Sequence, residues 1–133
     1  FRMDAERAHG LTLRALRVKY AREKLWAIFE PRSNTTRRNV FQQELAAAFA
    51  DVDGVFVSQV ARLELLQPEE RLNPERLMQD LKSAGKNSAY LPDADAIVHH
   101  AGSLVQPGDV VVVFSNGGFG GIHAKLLERF SRR

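Results

Sequence analysis

Two segments of this 133-residue chain gather groups able to hold a ligand. The first, Glu30-Pro31-Arg32-Ser33-Asn34-Thr35-Thr36-Arg37-Arg38, sets three guanidiniums among short hydroxyl and amide side chains. Arginine forks match carboxylates or phosphates bidentately, and a helix starting after the loop adds backbone N–H donors. The second, Ser115-Asn116-Gly117-Gly118-Phe119-Gly120-Gly121, places four glycines in seven positions. Such a loop brings main chain close to a ligand and takes up conformations that other residues avoid. Each also has a plainer reading. The arginine loop fits a helix cap with solvated side chains, and the glycine loop fits a tight strand-to-helix turn. The glycine loop is not a Walker A loop, because no Lys-Ser/Thr pair follows, and its spacing is not the dinucleotide fingerprint.

The remaining reactive residue types carry less. His99 and His100 are neighbours on a predicted helix, so they diverge and cannot easily share a metal; a solvated or half-buried pair explains them. His123 falls one turn into the last predicted helix, within reach of the glycine loop, and fits packing or ligand contact equally. No paired carboxylates, Ser-His-Asp set or metal-ligand spacing is visible, so neither a catalytic residue nor a metal site is expected. Cysteine is absent, which excludes disulfides, thiolate metal sites and thiol nucleophiles and suits a reducing cytoplasm. The chain presents a binding surface.

The elements that must position these loops alternate helix and strand. Leu11, Leu13, Leu16 and Tyr20 predict a first helix of about ten residues. Leu25–Phe29 is an apolar run halted by Pro31, a buried strand. Apolar positions at Val40, Phe41, Leu45, Ala48 and Phe49 predict a helix over 39–50, and Val55–Val57 the next strand. After a polar stretch from Arg62 to Leu72, Asn73-Pro74-Glu75 supplies an N-cap and N1 proline for a helix to about Ala84. A weak strand at Ser88–Leu91 is followed by a helix from Pro92-Asp93 through Val105. Val110–Phe114 is the strongest strand, apolar throughout, and such strands are normally covered on both faces. The last helix spans Ile122–Phe130. This order predicts an α/β fold: a Rossmann-like three-layer domain with a mostly parallel sheet and helices on both faces. Ligands of such sheets bind at the carboxyl ends of the strands, where both loops fall.

A 44% hydrophobic share is enough for a core and excludes disorder, and no run approaches the roughly 18 apolar residues of a membrane span. Residues 1–38 carry ten basic and four acidic side chains, whereas residues 39–133 carry nine and twelve. The basic third lacks aromatic interleaving, so nucleic acid is not the expected partner; an anionic small molecule, an acidic neighbouring domain or a solvated helix face accounts for it. Without a signal or span the protein is expected in the cytoplasm, with no membrane partner. Phe1 is not an initiator residue, so a longer polypeptide is expected.

Residues 25–42 (Leu25-Trp26-Ala27-Ile28-Phe29-Glu30-Pro31-Arg32-Ser33-Asn34-Thr35, then Arg37-Arg38-Asn39-Val40-Phe41-Gln42) resemble the C-terminal domain of a Mur ligase. Ser115 through His123, followed by Lys125-Leu126-Leu127, is similar to the same family's final strand–turn–helix. The resemblance covers residues 11–133 as one domain and leaves 1–10 as an unassigned N-terminal segment. It is narrowest to the recycling ligases that join UDP-N-acetylmuramate to L-alanyl-γ-D-glutamyl-meso-diaminopimelate; the UDP-N-acetylmuramate–L-alanine ligases have a differently built first loop and fit less well. A stand-alone nucleotide- or anion-binding module and a purely structural domain are the other readings.

The resemblance implies three domains. One holds the UDP-sugar, a central one carries ATP and Mg²⁺, and the third, this chain, receives the peptide amine that attacks an acyl phosphate. Alone, the third domain is expected to be inactive. Of the family's Asp-Asp-Phe-Ala-His-His-Pro-Thr opening only Ala8-His9 has a counterpart, which makes His9 the candidate nucleotide contact. The tripeptide carries several carboxylates, so Arg32 is assigned to bind one, with Ser33, Asn34 and Thr35 adding hydrogen bonds. Opposite, Ser115 and Asn116 are expected to donate to the ligand, Gly117 and Gly118 to admit its backbone, and Phe119 to cover it. Arg37 and Arg38 are expected to face solvent or the central domain.

Overall fold

The computed structural model describes residues 13–32, 37–39, 42–60, 62–115 and 117–131. Strands β1 (Leu25–Phe29), β2 (Gly54–Ser58), β3 (Asn87–Leu91) and β4 (Val110–Phe114) form a parallel sheet in the order β3-β2-β1-β4. Helix α1 covers residues 13–19. It is followed by α2 (Gln42–Ala48), α3 (Pro74–Ser83), α4 (Ala94–Leu104) and α5 (Ile122–Ser131). The three-layer α/β architecture read from the sequence is the one observed.

Side-chain alternation along the strands builds two cores. Leu25, Ala27, Phe29, Val55 and Val57 face one side, against Leu13, Leu45, Leu77 and Leu81 from the first three helices and Phe49 from the turn after α2. Trp26, Ile28 and Phe56 face the other, against Ile97, Ala101, Ile122 and Leu126 of α4 and α5. All of β1 is buried, which is why its sequence shows no polar alternation. Trp26 stacks on Phe56 with ring centroids 5.3 Å apart, and the rings of His100 and Phe56 meet in a T-shaped contact at 5.2 Å between centroids, so His100 is half-buried while His99 is exposed. Gly54 makes the Trp26 seat: a Cβ there would lie 2.3 Å from the indole.

Local signals placed most boundaries. Asn73 Oδ1 accepts from the Arg76 N–H at 3.0 Å with Pro74 behind it, and Asp93 Oδ1 accepts from Ala96 N–H at 2.9 Å. The helix expected over 39–50 is shorter, Gln42–Ala48, and Gly54 and Ser58 extend the strand expected at Val55–Val57. The polar stretch after Arg62 holds two short 3₁₀ turns, Leu63–Leu65 and Pro68–Glu70.

β4 differs from its expectation in position. Its side chains join both cores, but among the described residues it pairs only with β1, so every position is half-buried. Apolar content measures face coverage, whereas exposure here comes from the edge. The basic N-terminal third also resolves differently. Arg17 Nη1 lies 3.0 Å from Asp53 Oδ2, and its Nη2 donates to the carbonyls of Tyr20 and Glu23. Arg14 lies 3.9 Å from Asp51. These partners sit at the amino ends of β1 and β2, so part of the positive charge ties α1 to the sheet at the end away from both loops.

Candidate substrate-binding site

The chain runs outward from β1 to β2 and β3, then crosses back to β4 on the other side of β1. Strand order therefore reverses between β1 and β4, and the crevice at their carboxyl ends is where open α/β sheets bind ligands. The arginine loop leaves β1 there and the glycine loop leaves β4, so residues about eighty positions apart in sequence become neighbours.

Their contact is specific. The Glu30 N–H donates to the Phe114 carbonyl at 3.0 Å, carrying the ladder one residue past the strands. The Ser115 hydroxyl donates to Glu30 Oε1 at 2.5 Å, within the roughly 2.5–2.7 Å of a hydroxyl bound to a carboxylate. Ser115 Oγ in turn accepts the Gly117 N–H at 3.0 Å. Arg32 then lies over Gly117, where a Cβ would stand 3.1 Å from its Nε and 3.2 Å from its Cζ. A side chain at 117 would therefore crowd the arginine and shift it by a few tenths of an ångström. Pro31 is buried beneath, and Arg32 is exposed, with its guanidinium at the mouth of the crevice.

The other two arginines are drawn away. Arg37, expected toward solvent or a neighbouring domain, is 8% exposed, and its Nη1 donates to the Arg62 carbonyl at 3.2 Å. Arg38 Nη1 pairs with Glu70 at 3.2 Å, and its backbone bridges Arg71. Both strap the segment between β2 and α3. Among the described residues, Arg32 is the guanidinium of this loop that meets the glycine loop.

Two roles expected within the glycine loop change. Phe119 is 2% exposed and packs with Trp26, Ile28 and Ala94, so its ring belongs to the core and does not cover a ligand. Its φ of 48° is left-handed, uncommon for a bulky residue, and burial of the ring holds it there; Gly120 at φ 57° continues the turn. Ser115 has one hydroxyl proton, and Glu30 takes it, so Ser115 braces the loop from within and is not a free donor to the ligand. Gly117 and Gly118 are exposed, as a backbone approach requires, and His123 is exposed on α5. Ser33, Asn34, Thr35, Asn116 and His9 lie outside the described residues.

Glu30 was not singled out from sequence as a site residue. Its signal was available: a lone carboxylate directly after a wholly apolar strand, opening an otherwise cationic loop. The polar hollow between α2 and α3 is a weaker candidate. There Gln42 exchanges hydrogen bonds with the Asn73 backbone at 2.8 and 3.0 Å, and Asn39 donates to the Glu69 carbonyl, so several of its lining groups already satisfy one another.

A family profile described as "Mur ligase, glutamate ligase domain" matches residues 7–117. The chain belongs to the Mur ligase family. It is 37% identical over 120 residues to the UDP-N-acetylmuramate–L-alanyl-γ-D-glutamyl-meso-2,6-diaminoheptandioate ligase of Haemophilus influenzae, covering 89% of this chain and 24% of that protein. The Escherichia coli enzyme of the same name is 32% identical over 123 residues, covering 92% and 25%. Among solved structures, the murein peptide ligase of Psychrobacter arcticus superposes with a TM-score of 0.76 at 28% identity, over 96% of this chain and 26% of that one. The chain thus spans about a quarter of the length of these relatives, and the Mur ligase fold described above accounts for nearly all of it.

Proposed function

We propose that residues 11–133 are the peptide-receiving domain of an ATP-dependent ligase that joins UDP-N-acetylmuramate to L-alanyl-γ-D-glutamyl-meso-diaminopimelate in the cytoplasm. The observation that carries this reading is the seating of Arg32 against Gly117 at the switch point between β1 and β4. There an exposed guanidinium lies against exposed glycine main chain, the pair of features a peptide carboxylate and its backbone require. The likeness to the two diaminoheptandioate ligases supports the choice of tripeptide over L-alanine alone.

The described residues do not supply a triphosphate–Mg²⁺ site. The glycine loop lacks the Lys-Ser/Thr pair, and among the described residues no group of three or more His, Asp or Glu gathers to hold a metal. ATP and Mg²⁺ belong in this reading mainly to the central domain, where they would activate the muramoyl carboxylate. The present domain binds and orients. Arg32 anchors a peptide carboxylate, and the glycine loop bounds the peptide's path, which presents the α-amine to the activated carbon and raises its effective concentration.

Amide formation by the intact ligase, followed with tripeptide and with L-alanine as competing amines, tests the reading. Product from the tripeptide supports it. Product from L-alanine alone assigns the domain to the alanine ligases instead. Tight, Mg²⁺-dependent ATP binding to this chain by calorimetry would make it a nucleotide-binding module.

A further inference from the structure

We propose that Glu30 is the positioning residue of this site: through Ser115 it holds the glycine loop on which the Arg32 side chain rests, and so sets where the guanidinium meets a carboxylate of the incoming peptide. This inference rests on the peptide-binding reading above and adds a residue that the loop's cationic composition hides. Glu30 is itself fixed, because its N–H closes the last rung between β1 and β4 at 3.0 Å. Its carboxylate therefore projects from a defined point of the sheet and not from a free loop. Ser115 is the hinge of the arrangement, giving its proton to Glu30 at 2.5 Å and taking the Gly117 N–H at 3.0 Å. Gly117 then abuts the Arg32 side chain. The sequence Glu30–Ser115–Gly117–Arg32 forms one line of contacts across the crevice. Releasing its first member frees the glycine loop and leaves Arg32 facing a surface of undefined position.

An acidic residue two positions before an anion-binding arginine would by itself oppose an anionic ligand. The Ser115 hydroxyl stabilises that charge where it stands, which explains why a carboxylate is tolerated there. Glutamine keeps an oxygen able to accept the Ser115 proton, whereas alanine does not. The two substitutions therefore separate the brace from mere bulk.

The test uses Glu30→Ala, Glu30→Gln, Ser115→Ala and the Glu30/Ser115 double alanine variant of the intact ligase, with Arg32→Ala as the reference. The expected result is a rise of about tenfold in peptide KM for each single alanine variant, the scale of one charge-assisted hydrogen bond. The double variant should lose no more than either single one, Glu30→Gln should recover most of the loss, and the KM for ATP should not move. Amide exchange of Gly117 in the ligand-free protein should accelerate in Glu30→Ala and return toward the parent rate in Glu30→Gln. An unchanged peptide KM in Glu30→Ala, or additive losses in the double variant, overturns the proposal. Where Arg32→Ala still raises peptide KM, the peptide reading survives that failure. Where Arg32→Ala is also silent, the peptide reading has failed and this inference falls with it. If Glu30→Ala does not fold, Glu30→Gln and Ser115→Ala decide by the same criteria.

Discussion

Removing the Arg32 guanidinium should separate binding from folding. The side chain is exposed, lies against Gly117 and holds none of the core together, so Arg32→Ala should change stability by less than about 0.5 kcal/mol. Binding should respond differently. If the crevice takes a peptide carboxylate as proposed, the fork and its partner leave water together, and truncation should forfeit a charge-assisted pair contributing about 2–3 kcal/mol. That is a fall of roughly 30- to 150-fold in kcat/KM for the peptide. Arg32→Lys should recover little, because an ammonium has no planar fork. Gly117→Ala supplies an independent check on the geometry. Its Cβ would stand 3.1 Å from Arg32 Nε, so it should displace the guanidinium and reproduce part of the loss, and combining it with Arg32→Ala should add little. Steady-state kinetics of the intact ligase with the peptide varied, beside thermal melts of each variant, measure both quantities. A peptide kcat/KM in Arg32→Ala within twofold of the parent would refute the assignment. A large drop in melting temperature would instead show Arg32 to be structural.

Three further outcomes follow from the packing. Phe119→Ala should cost about 3–5 kcal/mol in denaturant unfolding, the scale of a truncated core aromatic; a near-neutral result would mean that the ring is not in the core. Gly54→Ala should destabilise by at least about 1–3 kcal/mol, since its Cβ would collide with the Trp26 ring at 2.3 Å and Asn87 O at 2.9 Å, and tryptophan fluorescence should report a displaced indole. Tyr90 has its phenol pushed above the ordinary value of 10.0 by burial, then by the charge of Glu75, with the Val60 N–H that it accepts at 3.0 Å acting in the opposite sense. The unfolded chain therefore loses this proton first, so the stabilising contribution is present below pH 10 and declines as pH rises above it. Tyr90→Phe should flatten that alkaline decline in unfolding titrations while lowering stability by about 1 kcal/mol at neutral pH; an identical alkaline slope in both proteins would count against the coupling.

What the chain settles locally, its sequence shows. Five apolar residues closed by Pro31 define β1, the oxygens of Asn73 and Asp93 start α3 and α4, and the alternation of helix and strand dictates parallel pairing. Both candidate loops could be placed at strand ends for the same reason, and the family to which the chain belongs was legible in those loops. Each of these signals acts over a few residues, within the reach of a hydrogen bond or one turn of helix. The rest depended on partners remote in sequence. Ser115 and Glu30 are 85 positions apart, and Arg17 finds Asp53 at a separation of 36. Nothing in the local composition distinguishes Arg32, at the crevice, from Arg37, turned inward to the Arg62 carbonyl, or Phe119 as a lid from Phe119 in the core. The crossover that seats β4 beside β1 makes those choices, because it alone decides which loop ends meet and which side chains the second core can bury.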